Sequence, residues 1–242
     1  MNQEEPRLFS NDEGVLVIRS ETKNRILDLL KEKERYGSQI REELDMAKST
    51  ISVHLSDLKE LGIIDVKEDP SDERKKIYHL SSQFLGKSKK PYDETYNKIL
   101  ENLSDTAGKE YEFLKSLFHL IRHGIDSFGL DIHPALKEMG RDVGRSLGKN
   151  FDAKTEKEFI EQIKDFWKST GLGEMKIEDT NRFVVKNCFD CGEMPEVENT
   201  LCSLDEGIIE GLFEEVLGKN IQVREKECHG TGHDYCAFEI IR

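Results

Sequence analysis

Ser49-Thr-Ile-Ser-Val-His-Leu-Ser-Asp-Leu-Lys-Glu-Leu-Gly-Ile-Ile64 decides how the first third of the chain is read. Ile51, Leu55, Leu58 and Leu61 recur at steps of four, three and three, which places them on one side of a helix that faces a core. Ser49, Ser52, Val53 and Ser56 then point away, and Gly62 stops the helix, as the residue type most tolerant of a left-handed backbone. A short, hydroxyl-bearing outer face with Lys48 at its start suits a DNA major groove, where such side chains bond to phosphates and base edges.

Upstream, Ser20 is placed to cap a helix over 20–30 with Ile26, Leu27, Leu29 and Leu30 on its apolar face, and Ser38 to cap a second over 38–44. Downstream, 63–66 and 77–80 read as strands joined by a charged connection that contains Pro70 and ends in Arg74, Lys75 and Lys76. Three helices followed by a hairpin with a basic tip make a winged helix-turn-helix.

The quoted stretch resembles the recognition-helix signature of the arsenic-repressor-like winged-helix regulators, and the similarity runs over roughly residues 15–82. That resemblance implies a homodimer reading a palindromic operator in double-stranded DNA. Lys48, Ser49, Thr50, Ser52 and Val53 would lie nearest the bases or phosphates, and Arg74, Lys75 and Lys76 would form the wing. The Cys-x-Cys metal motif that many such repressors carry on this helix is missing, so sensing is expected from the rest of the chain.

Composition sets the outer limits. Hydrophobic residues make up 36% and charged residues 35% of 242, and the net charge of -13 argues against a general polyanion binder. Residues 1–90 hold 17 Lys and Arg against 18 Asp and Glu, so the acid excess lies beyond them and leaves the amino-terminal part free to read DNA. No apolar run approaches the roughly 20 residues of a membrane helix, and the polar start carries no secretory signal, so a cytoplasmic protein without membrane contact is expected.

Residues 81–91, with Lys87, Lys89 and Lys90 before Pro91, read as a linker. Helices are expected over 96–103 and 111–128, the second with a wide apolar face of Phe113, Leu114, Leu117, Phe118, Leu120 and Ile121 that serves a subunit interface or a core. Pro134 opens another helix, in which Gly140, Gly144 and Gly148 stand four apart. Each glycine costs a helix about 1 kcal/mol, so close approach of a second helix or of a ligand must compensate. A further amphipathic helix spans 155–167, with Phe159, Ile160, Ile163 and Phe166 inward.

All five cysteines fall in the last fifty-five residues, as Cys188, Cys191, Cys202, Cys228 and Cys236. Strands are expected over 175–177, 182–186, 221–226 and 235–241, with a helix over 205–216 and a tight turn at Gly230-Thr-Gly232. Cys228 and Cys236 stand at the two ends of that turn, close enough to share a metal, and Cys202 begins a helix whose dipole favours thiolate. A fourth ligand would come from Cys191, Cys188 or Asp190, with His229 and His233 as weaker substitutes. Zinc is the cation that such thiolates suit.

Gly140-Arg-Asp-Val-Gly144, Gly207-Ile-Ile-Glu-Gly211 and Val223-Arg-Glu-Lys-Glu-Cys-His-Gly-Thr-Gly-His-Asp-Tyr-Cys-Ala-Phe238 resemble the 4-vinyl reductase domain, over residues 107–242. Aromatic-sensing members bind zinc through three cysteines and a carboxylate. The resemblance matches Cys202, Cys228 and Cys236 to the cysteines and puts the carboxylate near Asp190. Fusion to a winged helix resembles the methanogen-specific archaeal regulators of this class, which implies redox sensing through thiol or disulfide chemistry at Cys188 or Cys191.

The expected fold is α+β: a winged helix-turn-helix over 1–86, a helical linker region over 87–106 and an α/β sensor domain over 107–242. The expected function is a dimeric DNA-binding transcriptional regulator that is redox-responsive through cysteine and zinc. Its alternative senses a small apolar or aromatic effector and keeps zinc for structure. No paired nucleophile and base, cofactor loop or acid pair is visible, so no enzyme is expected.

Overall fold

The computed structural model describes residues 5–242 except 93, 180, 193 and 195. The fold is α+β, in two units, Met1–Lys89 and Lys90–Arg242.

In the first unit, β1 (Arg7–Asn11) and β2 (Gly14–Ile18) precede α1 (Glu21–Glu32), β3 (Arg35–Tyr36), α2 (Gly37–Leu44), α3 (Lys48–Glu60), β4 (Ile64–Asp69), β5 (Asp72–Leu80) and β6 (Gln83–Ser88). Ile26, Leu27 and Leu30 of α1 meet Ile40 of α2 and Ile51, Leu55 and Leu58 of α3, as the helical spacing requires. Leu61 departs from that stripe: it is the C-cap and is half-exposed, because the chain turns at Gly62, whose φ is +64°. Ser20 caps α1, its hydroxyl accepting from the Lys23 amide. Ser38 does not cap α2. That helix begins one residue earlier with Tyr36 as N-cap, and the Gln39 side chain accepts from the Tyr36 amide at 2.9 Å.

The hairpin β4–β5 forms with β3 on its edge, giving the order β3-β5-β4. Residues 83–88, expected as linker, instead form β6, which pairs antiparallel with β1. Phe84 packs against Phe9 at 5.2 Å, and burying those two rings outweighs the polarity of the lysines around them.

The second unit opens with α4 (Glu94–Ser104), α5 (Glu110–Ser127), β7 (Leu130–Asp131), α6 (His133–Gly148) and α7 (Glu156–Ser169). Then come β8 (Glu174–Asp179), β9 (Arg182–Lys186), α8 (Ser203–Leu217), β10 (Gln222–Glu227), a 3-10 turn (His229–Thr231) and β11 (Cys236–Ile241). The last four strands form an antiparallel sheet in the order β10-β11-β9-β8. Trp167, Phe159, Phe183, Phe213 and Phe238 fill the core beside it.

Helix α5 lies the opposite way round from its hydrophobic pattern. Its buried side carries Ser116, His119, Arg122, His123 and Asp126, while Tyr111, Phe113, Leu114 and Ile121 are exposed. Arg122 forms a buried ion pair with Asp190 and donates to the Leu201 carbonyl, and His119 Nε2 meets the Phe189 carbonyl at 2.7 Å. Those polar anchors hold the loops that carry the cysteines and so decide which side turns inward.

The glycines of α6 meet a second helix. A Cβ on Gly140 would lie 2.2 Å from the Leu204 carbonyl oxygen, and one on Gly144 would lie 2.3 Å from that of Ile208. Gly207 and Gly211 of α8 face α6 with the same closeness, so the two backbones touch where side chains would otherwise stand. Beside this seam Lys137 pairs with Glu206 at 2.7 Å, Arg141 with Glu210 at 2.6 Å and Arg145 with Glu214 at 2.9 Å.

Alanine in place of a mid-helix glycine ordinarily stabilises by about 1 kcal/mol. Gly144→Ala is expected to do the reverse, by about 1–3 kcal/mol, because backbone must move. Thermal unfolding of the full chain checks the sign: a lowered midpoint is expected, and a raised one would remove the seam as a structural requirement.

Candidate nucleic-acid interface and metal centre

In the first unit, α3 and the hairpin enclose a cleft of about 380 Å³ lined by Tyr36, Ser38, Arg41, Lys48, Ser52, Arg74, Lys75 and Lys76 among others. Lys48, Ser49, Ser52 and Val53 are exposed on α3 and Thr50 is half-buried. The two stretches that the sequence singles out, at 48–53 and 74–76, therefore meet around one opening. Arg41, which the sequence reading missed, joins them from the last turn of α2. Its signal was its place three residues after Ser38 in the short helix that precedes the recognition helix.

Charge is unequal around the cleft. Arg74 Nε lies 3.0 Å from Asp72 and Lys75 Nζ lies 3.8 Å from it, whereas Arg41, Lys48 and Lys76 have no ion pair among the described residues. Asp69 fixes the base of the hairpin. It accepts from the Tyr36 hydroxyl and from the Ser71 and Asp72 amides, the latter at 2.6 and 3.1 Å. Hydrogen bonds from Ser71 first, then Tyr36, hold its carboxyl well below the ordinary range.

In the second unit, four sulfurs converge. Cys188, Cys191, Cys202 and Cys236 are each fully buried, and their Sγ atoms all lie within 4.8 Å of one another. Cys188 and Cys191 come from the turn after β9, where the Gly192 amide donates to the Cys188 carbonyl at 2.9 Å. Cys202 is the N-cap of α8 and Cys236 opens β11. The Cys188–Cys202 and Cys202–Cys236 separations are 3.7 and 3.8 Å, and Cys191–Cys236 is 3.1 Å. A tetrahedral ion with metal–sulfur bonds of about 2.3 Å needs sulfurs about 3.8 Å apart, so two of the three separations already match.

The thiols shift one another strongly. Burial pushes Cys202 well above the ordinary thiol range, and hydrogen bonding to Cys191 and to Cys188 raises Cys188 and Cys236 respectively. Cys191 alone is lowered, by hydrogen bonds from its neighbours with Cys188 foremost. A bound dication would favour the ionised form of all four, since metal ligation requires thiolate.

The other expected ligands lie differently. Cys228 stands in an adjacent group with Cys191 and Glu225. Asp190 falls within 4.8 Å of Cys202 and Asp205 but is engaged by Arg122. His233 Nδ1 meets the Thr231 hydroxyl at 3.1 Å, and neither His229 nor His233 belongs to a donor group among the described residues.

Glu225 is the residue that sequence reasoning missed. It is buried on β10, and its Oε2 accepts from the Leu201 and Cys202 amides, each at 2.8 Å. Burial pushes its carboxyl up to about 7, and that of Asp205 up to about 7 as well. The available signal was period two: Val223 and Glu225 share the inward side of β10, and an inward acid on a strand needs a partner.

Residues 181–242 match the 4-vinyl reductase domain, and residues 20–66 match the bacterial regulatory protein arsR family. The chain joins an arsR-type winged helix to a 4-vinyl reductase domain. It is a DNA-binding regulator with a cysteine cluster able to coordinate a metal.

The uncharacterized protein MJ0150 of Methanocaldococcus jannaschii is 26% identical over 129 residues, covering 52% of this chain and 73% of that one. MJ0745 of the same organism is 26% identical over 184 residues, covering 73% and 95%. Among solved structures, a vinyl-4-reductase family protein from Methanocaldococcus jannaschii is similar at 21% identity and a TM-score of 0.37, covering 61% of this chain and 94% of that one. The expectation that the chain is no enzyme is corrected by the family match over residues 181–242. The family that the carboxy-terminal domain matches is named for a reductase, so the missing nucleophile and cofactor loop do not exclude catalysis. No helix among the described residues is long and apolar enough to cross a membrane.

Arg41→Ala and Lys76→Ala are each expected to weaken DNA binding evenly across sequences and to reduce the slope of log affinity against log salt by about one. Arg74→Ala should do less, since Asp72 already shares that charge. Anisotropy titrations at several salt concentrations check this, and unchanged slopes for Arg41→Ala and Lys76→Ala would remove the cleft from the interface.

Proposed function

We propose that the protein is a cytoplasmic, homodimeric transcription regulator that reads a palindromic operator through its winged helix. Its 4-vinyl reductase domain answers to a small apolar or aromatic molecule, and the zinc in that domain is structural. The observation that carries this reading is the complete burial of Cys188, Cys191, Cys202 and Cys236. A sulfur that water does not reach is a poor target for a dissolved oxidant, because thiol reactivity follows exposure as well as thiolate character.

Zinc fits the donor set, which is thiolate-rich and near-tetrahedral, and zinc has no redox chemistry of its own. Bound by the four cysteines, it would tie together the turn after β9, the start of α8 and the first residue of β11. A cleft of about 510 Å³ beside α7, where Leu147, Phe151 and Phe166 are joined by Asn150, Asp152, Gln162, Asp165 and Ser169, supports a small aromatic effector that also carries a polar group. The outward apolar side of α5 supports the homodimer.

One observation favours redox control as the second reading. Cys191, the thiol whose ionised form is favoured, lies 3.1 Å from Cys236, so loss of the metal would leave a thiolate beside a disulfide partner.

Operator affinity measured before and after a thiol oxidant separates the two readings, with a panel of small phenols and arenes run in parallel. Affinity within about twofold after oxidation, a shift of tenfold or so with one of the aromatics, and a thermal midpoint that falls by about 5 °C or more on chelation are expected. Reversible loss of binding on oxidation, restored by reductant, would replace the ligand reading with the redox one.

A further inference from the structure

The four-sulfur set leaves two buried donors unassigned, and both lie against one of its members. The Sγ of Cys191, the Sγ of Cys228 and a Glu225 carboxylate oxygen lie within 4.8 Å of one another, so Cys191 belongs to two donor groups at once. Glu225 is 6% exposed and Cys228 is fully buried. While Glu225 Oε2 accepts from two amides, its Oε1 has no hydrogen-bond partner among the described residues. The Cys228 sulfur makes a long contact to the Asn199 carbonyl, at 3.9 Å, and hydrogen-bonds with Cys191, the sulfur that the two donor groups share. A buried carboxylate oxygen left without a hydrogen-bond donor is costly, and a cation held between it and the two sulfurs would satisfy it.

We propose that the centre holds two thiophilic dications per chain, bridged by the Cys191 sulfur. Cys188, Cys191, Cys202 and Cys236 hold the first; Cys191, Cys228 and Glu225 hold the second. This rests on the reading that the four-sulfur set binds metal. Charge supports the pair: the first ion with four thiolates carries a net -2, and the second ion arrives with one further thiolate and one carboxylate, which adds nothing to that total. Sharing a sulfur also sets the spacing, since ions held in common by one site sit about 3.5–4 Å apart.

The two positions differ in chemistry. Four thiolates close the first ion, as in structural sites, whereas three protein donors leave the second with a position for water or a small ligand. The second ion is therefore the exchangeable one.

Titration of the full-length apoprotein with Co(II) alone, under anaerobic conditions, tests this by absorption and electron paramagnetic resonance, with zinc counted separately by native mass spectrometry. Sulfur-to-cobalt charge transfer is expected to saturate at about two equivalents. The paramagnetic signal should grow over the first equivalent and decline over the second, as the shared sulfur couples the two spins. Cys228→Ser should bind one equivalent and keep the signal, and Glu225→Gln should weaken the second equivalent by at least the tenfold or so that even an outer partner contributes. Saturation of the unaltered protein at one equivalent would overturn the proposal and leave the four-sulfur site standing. Two equivalents with additive, uncoupled signals would overturn the bridge. Binding of no metal would remove the four-sulfur site as well. The unaltered protein decides these outcomes even where a variant fails to fold.

Discussion

Helices α6 and α8 touch backbone to backbone, and the order of the second unit follows from that contact. Without side chains at Gly140, Gly144, Gly207 and Gly211, α8 comes close enough for Lys137 and Arg141 to reach Glu206 and Glu210. The same two glutamates accept from β10: Glu206 Oε1 from the Glu225 amide at 2.6 Å, and Glu210 Oε1 from the Val223 amide at 2.7 Å. Glu225 then reaches across to the Leu201 and Cys202 amides, just ahead of α8, and sets Cys202 in place. Each link is a short polar contact in poorly hydrated surroundings, where hydrogen bonds are strong and misplacement is costly. The position of one sulfur, Cys202, is thus tied to the missing side chains of Gly140 and Gly144, more than fifty residues away in the chain.

Much of this was legible in the sequence, and the reasons are specific. The periodicity of Ile51, Leu55 and Leu58 fixes α3, and alternation fixes the strands on either side of Gly230-Thr-Gly232, because each pattern records a one-sided burial that the chain cannot satisfy otherwise. The four-residue glycine spacing announces a close approach, but the partner could not be named until Gly207 and Gly211 were seen to face it. Less visible was anything that depends on a distant polar anchor. The apolar stripe of α5 reads equally as subunit interface or core, and it lies outward because Arg122 and His119 are bound to loops some seventy residues further on. Glu225 was passed over for a related reason. Acids are usually exposed, and only its inward register on β10 marks it out.

The two units handle charge in opposite ways. Around the cleft of the first unit, Arg41, Lys48 and Lys76 are left open to solvent and to any anion that enters, while Asp72 shares the charge of Arg74 and Lys75. Around the sulfurs of the second, acids and thiols are withdrawn from water, with Arg122 engaged by Asp190. A surface prepared for a polyanion and an interior able to hold a cation therefore occur in the same chain, alongside the even charge balance of its first ninety residues and the acidity of the rest.

The antiparallel sheet of the second unit ends in β10 on one side and β8 on the other. Arg224 and Lys226 are exposed along β10, and Glu174, Lys176, Glu178 and Asp179 occupy β8, with none of its charged residues buried. Charged borders of this kind discourage a further strand from adding on. The sheet is thereby closed to growth by strand addition, which leaves helical surface, such as the outward side of α5 with Tyr111, Phe113, Leu114 and Ile121 exposed, as the apolar ground of this unit.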